Sequence, residues 1–128
     1  MSCVKSIVCV VEDDLDVCDS LDAVVTALGH ICHTFDSAEA LLRYWECGQC
    51  DCLIVDFDLP EMNGLELLER LQQQTHNVTS ILYTGRVDSR IRQAAQRLGG
   101  IPVVEKGPDN NAICSHLKAL LNNTISRP

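Results

Sequence analysis

Long hydrophobic runs are missing from this chain. The longest, such as Ile7 to Val11, span about five residues where a bilayer crossing needs roughly 20, so no membrane-spanning helix is expected. The start Met1-Ser2-Cys3-Val4-Lys5 lacks a cationic region followed by a long apolar segment and a small-residue cleavage site. Secretion therefore has no support, and a cytoplasmic location is the expectation. Basic residues are also scarce: ten Lys plus Arg stand against 18 Asp plus Glu, a formal charge of −8. Such a balance disfavours a phosphate backbone and argues against direct nucleic-acid binding. Internal repeats, low-complexity tracts and linkers are absent too, and 128 residues fit one ordinary domain.

What is there is enough for a core. The hydrophobic content is 46%, and a chain of this length buries roughly two thirds of its unfolded surface without disulfide or metal staples. Short apolar or β-branched runs recur at Lys5 to Val11, Ile31 to Phe35, Asp51 to Asp56, Val78 to Thr84 and Ile101 to Lys106, and these are the expected strands. Helical spacing fills the gaps, with Val17, Leu21, Val24 and Leu28 in the first helix and Ile91, Ala94, Ala95 and Leu98 in the fourth. The last helix repeats the pattern with Ile113, Leu117, Leu120 and Leu121. Side-chain caps are expected at Asp36 with Glu39, at Asn63 with Glu66, at Asp88 and at Asp109. Strands alternating with helices predict an α/β fold with a parallel sheet covered on both faces. Residues 1–123 form the domain and 124–128 a tail or linker stump, with poor packing expected from Asn122 onward.

In such a sheet, function gathers at the carboxyl ends of the strands, where strand order reverses. Glu12, Asp13 and Asp14 follow the first expected strand, Asp56 ends the third, Thr84 the fourth and Lys106 the fifth. All are polar, and the fold brings them to one edge. Carboxylates so close together repel one another unless a cation is present. Mg²⁺ takes a few carboxylate oxygens and leaves positions for phosphate oxygens, so the cluster points to phosphoryl chemistry. Taken singly, Asp14 and Asp88 read as turn or cap residues, and Lys106 alone would be an ordinary surface lysine.

The stretch Leu53-Ile54-Val55-Asp56-Phe57-Asp58-Leu59-Pro60-Glu61-Met62-Asn63-Gly64 resembles the phosphoacceptor segment of receiver domains of two-component response regulators. Glu12 and Asp13 match that family's acidic pair, Thr84 its hydroxyl and Lys106 its lysine, with spacings like those of receivers attached to helix-turn-helix transcription factors. The resemblance implies a five-stranded, doubly wound (βα)5 sheet with the flavodoxin-like order 2-1-3-4-5. It implies that Asp56 takes a phosphoryl group from a histidine kinase or phosphotransfer protein. Asp13, Asp56 and the backbone carbonyl of Asp58 would hold Mg²⁺ directly and Glu12 through water. Lys106 would neutralise phosphoryl charge, while Thr84 would bind a phosphoryl oxygen and draw its loop inward. The output would lie in a further domain or partner protein, with a phosphorylation-dependent dimer as one possible form. Such a protein signals and is not an enzyme acting on other molecules.

The chain departs from the family on its switch surface, formed by the fourth helix, fifth strand and fifth helix and including Arg86. Where the family commonly has an aromatic three residues before the lysine, Val103 stands here, and Gly107 separates Lys106 from Pro108. A branched aliphatic side chain is stiff and too short to follow Thr84 as an aromatic would, so Val103 is expected to be passive.

Two other functions compete. Asp56-Phe57-Asp58 also resembles the nucleophile motif of haloacid dehalogenase-type phosphohydrolases, although the acidic group here precedes the nucleophile and only Asp109 follows the lysine. A phosphorylation-independent interaction module would not need the complete set of acids, hydroxyl and lysine. Eight cysteines without a secretion signal read as reduced thiols. Cys47-x-x-Cys50-x-Cys52 lacks the second pair of a zinc module, despite His30, Cys32 and His33, so no transition metal is expected. Cys9, Cys18 and Cys114 fall on expected core faces, and His76 and His116 on solvated ones.

Overall fold

A computed structural model describes residues 5–45, 49–74, 79–107 and 110–125. The chain alternates β1 (Ile7–Val11), α1 (Leu15–Ala27), β2 (Ile31–Phe35), α2 (Ala38–Trp45), β3 (Cys52–Asp56), α3 (Gly64–Gln74), β4 (Thr79–Thr84), α4 (Ser89–Arg97), β5 (Val103–Glu105) and α5 (Asn111–Ile125). The five strands are parallel and ordered β2-β1-β3-β4-β5. β1 and β3 are central and therefore almost wholly apolar, because both of their faces meet helices. The edge strand β2 is mostly open to solvent, with Ile31 exposed.

Strand alternation sorts the core into two layers. Val8, Val10, Ile54, Ile81 and Tyr83 pack with Leu21 and Val25 of α1 and with Ile113, Leu117 and Leu121 of α5. On the other face, Cys9, Val11, Leu53, Val55 and Leu82 meet Leu41 of α2, Leu67, Leu68 and Leu71 of α3 and Ile91 of α4. The helical spacing read from the sequence is borne out at Leu21, Ile91, Ala95, Ile113, Leu117 and Leu121, all buried. In α1 the buried stripe is shifted by one position: Cys18 and Val25 are inside, and Val17 and Val24 flank them.

Local chemistry sets the helix ends. Asp14 caps α1 by accepting from the Asp16 N–H at 2.9 Å, and Asp88 caps α4 by accepting from the Ile91 N–H at 3.0 Å. Asn63 and Glu66 form the reciprocal box expected of them, at 2.9 and 3.1 Å. At α2 the expectation of Asp36 with Glu39 is corrected. Ser37 is the cap, its Oγ accepting from the Ala40 N–H at 3.1 Å, because α2 begins one residue later. Asp109 lies outside the described residues, as do Val78, His76, Cys47 and Pro108. β1 begins two residues later than expected, and β5 is shorter than expected, Val103–Glu105, because Ile101 and Pro102 lead into it without pairing as strand. α5 reaches Ile125, inside the stretch assigned to the tail.

Gly29 and Gly64 occupy positions that other residues would fill at a cost. Gly29 follows the α1 C-cap at φ +90, the left-handed region that ends many helices, and its N–H donates to the Thr26 carbonyl at 2.9 Å. Gly64 opens α3 hard against β3: a Cβ there would stand 2.5 Å from the Asp56 carbonyl oxygen and 2.9 Å from a Val55 methyl. This close approach ties the start of α3 to the end of β3. Gly64→Ala is therefore expected to lower stability by about 1–3 kcal/mol through overpacking. Urea denaturation would measure it, and an unchanged midpoint would show that α3 can shift away freely.

Candidate functional site

The order of the strands reverses between β1 and β3, which opens a crevice at their carboxyl ends. Glu12 and Asp13 follow β1 immediately, and Asp56 is the last residue of β3. The register carries Val11 beside Val55, so the acids emerge side by side. Carboxylate oxygens of Glu12, Asp13 and Asp56 all lie within 4.8 Å of one another. Asp13 faces solvent, whereas Glu12 is 2% and Asp56 4% exposed.

One cation enters this group from the protein. Lys106 Nζ lies 2.8 Å from Glu12 Oε1 and 3.2 Å from Asp56 Oδ1. Its backbone N–H donates to the Thr84 carbonyl at 2.7 Å, which fixes where the side chain starts. The Asp58 N–H donates to Asp56 Oδ1 at 3.2 Å and the Asp14 N–H to Glu12 Oε2 at 3.3 Å. Cys18 Sγ donates to the Glu12 carbonyl at 3.2 Å, a contact from α1 that sequence reasoning missed. Sequence reasoning also missed Tyr83, whose ring centre lies 5.7 Å from Lys106 Nζ.

The electrostatics follow from burial. Desolvation pushes Glu12 up to about 7; Lys106 opposes the shift and the Asp56 charge adds to it. Burial pulls the Lys106 ammonium down, but Glu12 and Asp56 outweigh it and hold its pKa above the ordinary value. Three carboxylates and one ammonium leave an excess of negative charge among oxygen donors. A hard dication that keeps several waters fits that donor set, as Mg²⁺ does.

The other expected site residues are placed as follows. Thr84 is fully buried at the end of β4, but its hydroxyl donates to the Arg86 carbonyl at 2.9 Å instead of joining the acids. Arg86 is exposed, its N–H lying 3.4 Å from the same hydroxyl. Val103 is half-buried at the margin of the layer beneath α2, α3 and α4. Asp14 serves as the cap described above. The cysteine and histidine candidates diverge: Cys32 and Cys52 lie in one core layer and Cys9 and Cys50 in the other. His30 Nδ1 accepts from the Ser6 N–H at 2.9 Å, and His33 packs on Tyr44.

Comparison with known proteins agrees with this geometry. Residues 8–118 match the model of the family described as the response regulator receiver domain. The chain is 26% identical over 117 residues to the transcriptional regulatory protein FixJ of Bradyrhizobium diazoefficiens, covering 91% of this chain and 57% of that one. It is 32% identical over 104 residues to the response regulator protein TmoT of Ectopseudomonas mendocina, covering 80% and 46%. Among solved structures, the signal receiver domain of an HD domain-containing protein from Pseudomonas fluorescens superposes with a TM-score of 0.86 at 25% identity, over 97% of this chain and 100% of that one. A DrrB receiver domain activated with BeF3 shares the fold, with a TM-score of 0.82 at 19% identity over 93% and 99%.

The chain belongs to the response regulator receiver family. It is a signalling domain of two-component systems, and it spans about half the length of the curated relatives it matches. The haloacid dehalogenase alternative is set aside by this match: the acids that accompany Asp56 come from the end of β1, ahead of it in sequence. Among the described residues, no helix is long and apolar enough to cross a membrane.

The raised Glu12 pKa has a sign that can be tested. The ordinary value is 4.5 and the folded value about 7, so its contribution to stability is full below about pH 4.5 and is lost as pH rises through about 7. In metal-free buffer, the stability of the wild type relative to Glu12→Gln is expected to fall between about pH 5 and about pH 8. Thermal melts in chelator across that range would measure it. A constant difference would mean that Glu12 ionises as it does in the unfolded chain.

Proposed function

We propose that Asp56 is the phosphoacceptor, taking its phosphoryl group from a phosphohistidine on a histidine kinase or phosphotransfer protein. The observation that carries the proposal is the convergence of Glu12, Asp13 and Asp56 with Lys106, whose Nζ is 3.2 Å from the Asp56 carboxylate. A carboxylate oxygen of Asp56 attacks phosphorus, and the bond from phosphorus to the donor nitrogen breaks. The imidazole nitrogen keeps the electron pair, and Asp56 becomes an acyl phosphate. Asp13, Asp56 and the Asp58 carbonyl would hold Mg²⁺, with Glu12 holding one of its waters. When bound, the ion neutralises charge spread over the transferring oxygens. Lys106 supplies the second positive charge, its Nζ 3.2 Å from the Asp56 carboxylate.

The readout follows from Thr84. Its hydroxyl exchanges the Arg86 carbonyl for a phosphoryl oxygen, which releases Arg86 and moves the loop leading to α4. Val103 lies beside that movement without driving it. The changed surface, made by α4, β5 and α5, then meets an output domain or a partner protein, with a phosphorylation-dependent dimer as one form of that contact. The domain extends through α5 to Ile125, past the boundary at 123 expected from the sequence, and works in the cytoplasm, where its donors would be found.

Intact-mass spectrometry after treatment with acetyl phosphate and Mg²⁺ tests the acceptor. One phosphoryl group is expected on the wild type, none on Asp56→Asn and none in chelator. Labelling of Asp56→Asn with the same Mg²⁺ requirement would show that another residue is the acceptor.

A second measurement tests the readout. With beryllofluoride and Mg²⁺, backbone NMR shifts are expected in residues 84–90 and in α4, with the Val103 rotamer unchanged. A rotamer change at Val103 beside an unmoved 84–90 segment would contradict this route.

A further inference from the structure

Among the described residues, three groups meet the Lys106 ammonium: Glu12 Oε1 at 2.8 Å, Asp56 Oδ1 at 3.2 Å and the face of Tyr83, its ring centre 5.7 Å away. The first two belong to the chemistry already described, since a cation and a phosphoryl group both draw on those carboxylates. The ring draws on neither. Tyr83 is 4% exposed and packs in the apolar layer under α1 and α5. Its backbone pairs with Asp56 of β3 on one side and Val104 of β5 on the other. Its position therefore comes from the sheet and not from the charge state of the crevice.

Beside this contact is open space. A recess of about 230 Å³, lined by Asp16, Val17, Ser20, Tyr83 and Asn110, adjoins Lys106 and offers the ammonium room, with the Asp16 carboxylate on its wall, to swing away from Asp56. Once the carboxylates are engaged elsewhere, attraction to them weakens and that room becomes available. An aromatic face attracts an ammonium within about 6 Å of its centre, more strongly when the pair is partly desolvated. Lys106 is 24% exposed, so much of its stem and head is already out of water.

We infer that Tyr83 is a positioning residue, its ring face holding the Lys106 ammonium beside Asp56 while a cation and the incoming phosphoryl group take the two carboxylates. The inference rests on the assignment of Asp56 as phosphoacceptor. Tyr83 itself touches no reacting atom; it acts by keeping Lys106 where the charge develops. Ring identity is what matters, so phenylalanine should replace tyrosine and an aliphatic side chain should not.

Two readouts separate this role from ordinary packing. The rate of Asp56 labelling by acetyl phosphate at saturating Mg²⁺ is expected to be nearly unchanged in Tyr83→Phe and to fall about fivefold in Tyr83→Leu. Pentafluorophenylalanine at position 83 keeps the shape of a phenyl ring but reverses its quadrupole, and should lose rate as leucine does. The second readout needs no phosphorylation: the Lys106 Hε protons should show upfield ring-current shifts that persist in Mg²⁺, in the wild type and Tyr83→Phe, and vanish in Tyr83→Leu. If the leucine and pentafluoro variants label at the wild-type rate, or if the shifts disappear when Mg²⁺ is added to the wild type, Tyr83 does not position Lys106. If the wild type is not labelled at Asp56 at all, the phosphoacceptor assignment fails, and the ring-current shifts alone decide whether Tyr83 holds the lysine.

Discussion

Buried carboxylates on adjacent strand ends make a charge problem, and the arrangement of the crevice follows from it. Glu12 and Asp56 are almost completely removed from water and sit close together. Left alone, such a pair would protonate or push apart. Lys106 opposes the repulsion by reaching the two at once, and it can do so because β5 ends level with β4, where its N–H meets the Thr84 carbonyl. The remedy is partial. Glu12 stays pushed up toward neutrality, which shows that one ammonium does not compensate for the desolvation of this site. The residual demand for positive charge among oxygen donors gives a receiver domain its affinity for a hard dication.

The same constraint explains what could be read from the sequence. Glu12, Asp13, Asp56, Thr84 and Lys106 each end a strand or follow directly on one, and parallel α/β topology brings strand ends to one edge whatever their separation in the chain. Thus Glu12 and Lys106, 94 positions apart, are legible as neighbours from the sequence. The two-layer core was legible for a similar reason, since buried positions repeat at helical and strand periods. The α2 cap was not. Asp36 and Ser37 are both good caps, and the choice between them turns on where the chain leaves β2. Tyr83 was hidden differently. Its neighbour Thr84 takes the other face of β4, so alternation sends Tyr83 to the core layer under α1 and α5, where an aromatic needs no explanation. Only the path of the Lys106 side chain reveals that the core ring also meets the crevice.

The cysteines show the same lesson from the opposite side. Their proximity in sequence invites a metal centre, yet Cys50 lies ahead of β3 and packs with one layer, while Cys52, the first residue of that strand, packs with the other. Burial raises Cys52 and Cys32 to about 12 and Cys18 to about 11, so these thiols remain protonated near neutrality. A protonated thiol is a weak metal ligand and a poor nucleophile. Cys18 instead serves the crevice as a small buried donor, its Sγ on the Glu12 carbonyl helping to hold α1 against the loop that carries the acids.

Thr84 shows how the charged centre is joined to the surface. Its hydroxyl is fully buried, and a buried hydroxyl must find a partner. Here the partner is the Arg86 carbonyl, two residues along the loop to α4, so the loop and the crevice compete for one hydrogen-bond donor. The competition is two-state because the hydroxyl carries a single proton and cannot donate to both. Any acceptor that appears beside Asp56 and binds the hydroxyl more strongly than a carbonyl must loosen the loop by the same exchange, and a phosphoryl oxygen bearing charge is such an acceptor. Val103, half-buried and limited in its rotamers, has little range to take part in such an exchange, which would therefore fall on the backbone of the loop itself.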